Sequence, residues 1–129
     1  MPPTYAHVLA VDDDPILLQV LSAFFAKHGI TASTAPDGAA AVKMVNERDD
    51  IDLIVTDLQM PDTDGIEFLA HLKDKASTIP VVVISSAGST MILSAEALAK
   101  AYQLNFLGAL RKPVNFQELA KLLELPETN

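Results

Sequence analysis

Five polar residues sit where apolar runs end. Asp12 and Asp13 follow His7–Val11, Asp57 follows a run that begins at Ile51, Ser85 follows Val81–Ile84, and Lys112 comes soon after Phe106–Leu110. Three carboxylates brought within a few ångströms repel one another unless a cation shares the site. All the candidate ligands are oxygens and no His or Cys set is on offer, so the ion expected is Mg²⁺, with Mn²⁺ as the alternative. Too few protein ligands are present for a closed calcium cage, so such an ion keeps waters and an open position. Chemistry of this kind suits phosphoryl transfer to a carboxylate. The carboxylate attacks phosphorus to give an acyl phosphate once the charge on the transferring group is neutralised. Lys112 supplies a fixed positive charge, and the Ser85 hydroxyl can donate a hydrogen bond to a phosphoryl oxygen.

The surrounding elements must carry these groups to one place. His7–Val11 reads as a buried strand, and Pro15 opens a helix whose apolar residues (Ile16, Leu17, Val20, Leu21, Phe24, Phe25) recur at helical spacing until Gly29. Ile30–Ala35 forms a second strand, and Pro36-Asp37-Gly38 is turn chemistry before a helix carrying Ala41, Val42, Met44 and Val45. Ile51–Thr56 is the third strand, Met60–Gly65 a loop, and Ile66, Phe68, Leu69 and Leu72 mark the third helix. Val81–Ile84, the most β-branched run, is a buried central strand. A fourth helix follows, with Met91, Ile92, Ala95, Leu98, Ala99 and Tyr102 on it. Phe106–Leu110 is the fifth strand, and Asn115 with Glu118 three residues on starts a last helix that Pro126 is expected to end.

Five strands alternating with five helices make a parallel sheet wrapped on both faces, the doubly wound α/β class, in which sites lie at the carboxyl ends of the strands. Composition agrees with one domain over residues 1–129. Half of the 129 residues are apolar, enough for one core, and the absence of cysteine removes disulfides, thiolate metal sites and thiol nucleophiles. With 17 acidic against 9 basic residues, the net charge of −8 opposes direct nucleic-acid binding and favours basic partners or divalent cations. The opening residues have neither a basic nor an apolar targeting region, and no apolar run reaches membrane-spanning length, so the expected location is cytoplasmic, with no membrane partner.

The motifs in their order resemble the response-regulator receiver domains of bacterial two-component systems, from His7 to Leu125. Asp12-Asp13 resembles the acidic pair after strand one, Asp57-Leu-Gln-Met-Pro-Asp-Thr-Asp-Gly65 the phosphoacceptor loop, Ser85 the strand-four hydroxyl, and Lys112-Pro113 the strand-five lysine and its proline. The resemblance implies a flavodoxin-like five-stranded parallel sheet, (βα)5, in the order 2-1-3-4-5. It implies Asp57 as phosphoacceptor, Asp13, Asp57 and the Gln59 backbone carbonyl as direct metal ligands, Asp12 as a ligand through water, and Lys112 paired with the phosphoryl group. It also implies a phosphoryl donor, either a histidine kinase or a phosphotransfer protein. What results is a switch acting on a downstream effector, with only self-catalysed phosphoryl transfer and autodephosphorylation as chemistry.

Two departures modify that expectation. The family's switching aromatic, three positions before Lys112, is Ala109 here, leaving Phe106 as the nearest substitute. The interval from Ser85 to Lys112 is also a few residues longer than most receivers carry, so helix four or its flanks must be extended. The stretch from Ser85 to Pro113 is similar to receivers joined to EAL-type cyclic-dinucleotide phosphodiesterase domains, which implies an excised module or a stand-alone relative. Dimerisation through helices four and five is an alternative output.

Plainer readings cover the remaining candidates. Asp14 before Pro15 is a helix cap, and Asp62 and Asp64 are turn or cap residues. His7, His28 and His71 are structural, and Met44, Met60 and Met91 are packing residues. Two other functions stay open at this stage. One is a small Asp-nucleophile phosphohydrolase resembling haloacid-dehalogenase enzymes, which use an acid where this chain has Gln59. The other is a flavodoxin-shaped or receiver-like module that works without phosphorylation.

Overall fold

A computed structural model describes residues 4–59, 65–75, 78–86 and 89–126. The element order is β1 (His7–Val11), α1 (Pro15–Lys27), β2 (Thr31–Ala35), α2 (Gly38–Glu47), β3 (Leu53–Asp57), α3 (Gly65–Lys75), β4 (Val81–Ser85), α4 (Ser89–Ala101), β5 (Phe106–Arg111) and α5 (Phe116–Leu122). All strand pairs are parallel, in the order β2-β1-β3-β4-β5 expected from the motifs. The loop residues Met60 to Asp64, including the two acids read as turn residues, lie outside the described residues.

Burial explains which strands were easy to read. Every residue of β1, β3 and β4 is buried, because helices cover both faces of the sheet, and such strands appear as unbroken apolar runs. β2 is an edge strand of sequence Thr-Ala-Ser-Thr-Ala whose only buried residue is Ala35. Odd and even residues of the central strands serve two cores. Leu9, Val11, Ile54, Val81 and Val83 meet Ala41, Val45, Phe68, Leu69, Leu72 and Ala95 beneath α2, α3 and α4. Val8, Ala10, Leu53, Val55, Val82 and Ile84 meet Leu18, Leu21, Phe25 and Leu119 beneath α1 and α5.

β5 breaks that alternation. Val81 pairs with Phe106 but Val82 pairs with Gly108, so Leu107 is an extra residue in a bulge. Phe106 and Ala109 therefore both pack toward α4, while Leu107 packs toward α1 and α5. Gly108 sits on that second side, where an added Cβ would come within 2.8 Å of Leu122 Cδ1.

Caps set the helix starts. Asp14 accepts a hydrogen bond from the Ile16 amide (2.9 Å), Asp37 from Ala40 (2.8 Å), and Asn115 from Gln117 and Glu118 (2.9 and 3.1 Å). At their other ends α1, α4 and α5 close alike. The left-handed residues Gly29, Gln103 and Glu124 turn the chain so that the amides of Ile30, Leu104 and Leu125 reach back to the carbonyls of Phe25, Ala99 and Ala120. Thus α5 ends at Leu122 because Glu124 turns the chain, and Pro126 only follows. The extra length before Lys112 includes an α4 of 13 residues, equal to α1.

His7 belongs to this scaffold. Its ring is buried, with Nδ1–H donating to the Asp50 carboxylate (3.0 Å) and Nε2 accepting from the Ser33 hydroxyl (2.6 Å), while Arg48 clamps Asp50 from the other side. These bonds satisfy a buried polar ring and fasten the end of α2 to β1 and β2. His71 bonds Asn46, and His28 caps α1.

Candidate functional site

Adjacent parallel strands end at one edge of the sheet, and there the chain places Asp12, Asp13, Asp57, Ser85 and Lys112. β3 runs one residue further than its apolar pattern, so Asp57 is its last residue, paired across to Ile84. Ser85 is the next residue of β4 and is wholly buried, with its carbonyl accepting from the Lys112 amide (3.1 Å). Lys112 follows β5 directly, and its peptide bond to Pro113 is cis.

The two buried acids are held by the same local device. Asp12 Oδ1 accepts from the Asp14 amide (2.9 Å), and Asp57 Oδ1 accepts from the Gln59 amide (3.1 Å), each two residues further along the chain. These Asx turns pin one oxygen and leave the other to face the crevice. Both free oxygens meet one ammonium, since Lys112 Nζ lies 2.9 Å from Asp12 Oδ2 and 3.2 Å from Asp57 Oδ2. Backbone bonds fix the strand ends themselves, from Asp12 N to Ala35 O (3.1 Å) and from Leu58 N to Ile84 O (3.0 Å).

One cation does not balance this site. Asp12 and Asp57 are almost fully buried, Asp13 is exposed beside them, and one carboxylate oxygen from each lies within 4.8 Å of the others. Burial raises the Asp12 carboxyl above the usual carboxylate range. The Lys112 ammonium and the Asp14 amide pull it back, and the Asp57 carboxylate adds to the rise. For Lys112, burial disfavours the ammonium, but bonding to Asp12 and the charges of Asp57 and Asp12 outweigh it and raise its pKa. Among the described residues the Lys112 ammonium, 2.9 Å away, is the one group that faces the buried Asp12 Oδ2. An ionised buried oxygen in that state favours a further cation, and the donors available to it are all oxygens. This chemistry fits Mg²⁺, which prefers carboxylates and water.

Of the residues expected from the sequence, Asp12, Asp13, Asp57 and Lys112 are brought into one cluster, and Ser85 ends the adjacent strand β4. Gln59 is placed by its amide bond to Asp57, and its side-chain oxygen accepts a hydrogen bond from the Ser86 hydroxyl (3.0 Å) across to the end of β4. That bridge and the support from the Asp14 amide go beyond what the sequence motifs imply. The repeated Asp-x-x spacing at two strand ends is the signal that could have revealed the paired turns. Asp14 itself is the cap of α1, as expected.

A family model described as the response regulator receiver domain matches residues 8–124. The transcriptional regulatory protein GlrR of Escherichia coli (strain K12) is 33% identical over 119 residues, covering 92% of this chain and 26% of that protein. The chain thus spans about a quarter of the length of that relative. The solved structure of chemotaxis protein CheY4 from Vibrio cholerae is 29% identical with a TM-score of 0.77, covering 94% of this chain and 98% of that one. The response regulator protein TrrA from Thermotoga maritima, solved in complex with Mg²⁺-BeF, shares the fold at 22% identity and a TM-score of 0.77, covering 92% and 96% of the two chains.

Proposed function

The chain belongs to the response regulator receiver domains, the phosphoacceptors of two-component signalling, and from that membership we propose that Asp57 is its phosphorylated residue. The observation that carries the assignment is the arrangement of Asp57 itself. It is buried at a strand end, one oxygen is fixed by the Gln59 amide, and the other faces Lys112 3.2 Å away. A carboxylate so held is oriented before the donor arrives, which removes part of the entropic barrier to attack.

In this reading an Asp57 oxygen forms a bond to phosphorus as the donor's P–N bond breaks, and the leaving imidazole departs with its proton. Lys112, already between Asp57 and Asp12, follows the added negative charge onto the phosphoryl oxygens. Ser85, one residue beyond the strand partner of Asp57, lends its hydroxyl to the same group once the strand end shifts toward it. Asp12, Asp13, Asp57 and the Gln59 carbonyl would hold Mg²⁺, which when bound supplies the remaining neutralisation of phosphoryl charge. The Mg²⁺-BeF complex of TrrA is in keeping with this set. Mn²⁺ fits the same oxygens.

Receivers of this family exchange signals with histidine kinases or phosphotransfer proteins and with effector domains. For this chain we infer the finer output from two features. The bulge at Leu107 sets Phe106 on the same face as Ala109, so Phe106 can couple β5 to α4 although Ala109 has no ring. Similarity across Ser85 to Pro113 points to an EAL-type phosphodiesterase downstream, checked by whether the phosphorylated chain changes the rate at which such an enzyme hydrolyses a cyclic dinucleotide. The assignment of Asp57 is tested with a small phosphoryl donor such as phosphoramidate. Wild type should gain one phosphoryl group by mass only when Mg²⁺ is present, and Asp57→Asn should gain none. An equal gain in Asp57→Asn would remove Asp57 from the role.

A further inference from the structure

The bonds that seat His7 in the scaffold also set three side chains in the order nucleophile, base and orienting acid. The Ser33 hydroxyl donates to His7 Nε2 at 2.6 Å, and His7 Nδ1 lies 3.0 Å from Asp50 Oδ2. Arg48 settles the tautomer. Its guanidinium bonds both Asp50 oxygens (2.9 and 2.8 Å) and holds that carboxyl below the usual carboxylate range, so Asp50 can only accept and the ring proton sits on Nδ1. Nε2 then offers its lone pair to Ser33. Satisfying the buried ring needs only some donor at Nε2, and the structure supplies a primary hydroxyl on a partly exposed residue of the edge strand β2. A backbone donor stands beside it. The Thr31 amide bonds the Ala6 carbonyl and the Ala35 carbonyl accepts from the Asp12 amide, so the alternation of a parallel pair turns the Thr34 amide away from β1, toward the open edge.

We propose that Ser33, His7 and Asp50 form a second reactive site, one that hydrolyses small activated carboxylic esters. Ser33 Oγ bonds to the ester carbonyl carbon as its proton passes to His7 Nε2, and the leaving alcohol takes that proton as its C–O bond breaks. Water then gives a proton to Nε2 while its oxygen attacks the acyl carbonyl on Ser33. The carboxylic acid departs and the Ser33 oxygen takes the proton back. The net change is ester and water to acid and alcohol. Asp50 orients the ring and stabilises the imidazolium formed at each step, and the Thr34 amide is a donor for the carbonyl oxygen as it gains charge. The residues flanking Ser33 on β2 are alanines and threonines, which build no deep apolar wall, so the substrate class is a short acyl chain with a good leaving group. The site is separate from phosphoryl transfer, because His7 opens β1 and Asp12 follows its end, about 16 Å along the strand.

The test treats the full chain with a fluorophosphonate, which leaves a stable phosphonyl adduct on an activated serine, and maps the adduct by peptide mass spectrometry. Ser33 should be labelled about 100-fold faster than any other serine, the contribution of a positioned general base. p-Nitrophenyl acetate should leave a transient acetyl group on the same residue. Both readings are taken on the wild-type chain, so neither depends on a variant folding. Asp50→Asn, whose amide N–H favours the other ring tautomer, should slow labelling about tenfold, and Asp50→Glu should recover most of that loss. A bond that only seats the ring would give none of these results. Absence of an adduct on Ser33, labelling spread evenly over the serines, or an unchanged rate in Asp50→Asn would overturn the proposal.

Discussion

Replacing Lys112 by methionine removes the ammonium from between Asp12 and Asp57 while keeping an unbranched side chain to pack the stem. Each of its contacts, 2.9 and 3.2 Å, corresponds to a gross attraction of about 5–6 kcal/mol at an effective dielectric near 20. Desolvation cancels most of that. Breaking a buried pair costs about 3–5 kcal/mol, and with the Lys112 side chain 23% exposed the expected loss is about 2–3 kcal/mol. With a urea m-value of about 1.5 kcal/mol/M, the unfolding midpoint should fall by about 1.5 M in the presence of a chelator. The same change leaves the carboxylates short of a positive charge, so Mg²⁺ should bind the variant about tenfold more tightly than wild type, recovering about 1.4 kcal/mol at saturation. Urea melts with and without Mg²⁺ measure both quantities. An unchanged midpoint without Mg²⁺, or an unchanged Mg²⁺ affinity, would refute the view that Lys112 and a metal share the same two carboxylates.

Other substitutions separate scaffold from site. Asp14→Ala should cost about 1 kcal/mol in urea unfolding through loss of the α1 cap, while phosphoryl uptake stays at the wild-type level. Gly108→Ala forces a Cβ toward Leu122 at 2.8 Å and should destabilise the chain by about 1–3 kcal/mol, read as a lower thermal midpoint. Tyr5 is buried, and burial, then Glu124 and Asp52, raise its pKa above 10. For an acid raised in the folded state, the folded form holds its proton longer than the unfolded one. Stability should therefore fall as pH climbs from about 10 through the folded pKa. Tyr5→Phe should flatten that decline, and an identical alkaline profile would count against it.

Much of this site was legible because buried parallel strands write themselves as apolar runs, and the residues just past them must lie at one edge. Asp12, Asp13, Asp57, Ser85 and Lys112 all stand in that position. Ends and registers were harder. Gly29 announced the turn closing α1, but Gln103 and Glu124 adopt the same left-handed conformation without a glycine to mark it, so the end of α5 was credited to Pro126. The third strand was expected to begin at Ile51. It begins at Leu53, because the Asp52 carboxylate accepts from the amides of Ala6 and His7 at that point. The bulge at Leu107 left no mark in the sequence, since it arises from how β5 is fitted against β4. It nevertheless decides that Phe106 and Ala109 share a face.

The central claim is that the phosphoryl group resides on Asp57 as an acyl phosphate, and the most direct measurement locates it chemically. Borohydride reduces an acyl phosphate to the alcohol and would convert a phosphorylated Asp57 to homoserine, which peptide mass spectrometry can place in the sequence. After treatment with phosphoramidate and Mg²⁺, homoserine is expected at position 57 alone. Homoserine at position 12 or 13, or phosphorus retained on His7, His28 or His71, would contradict the account.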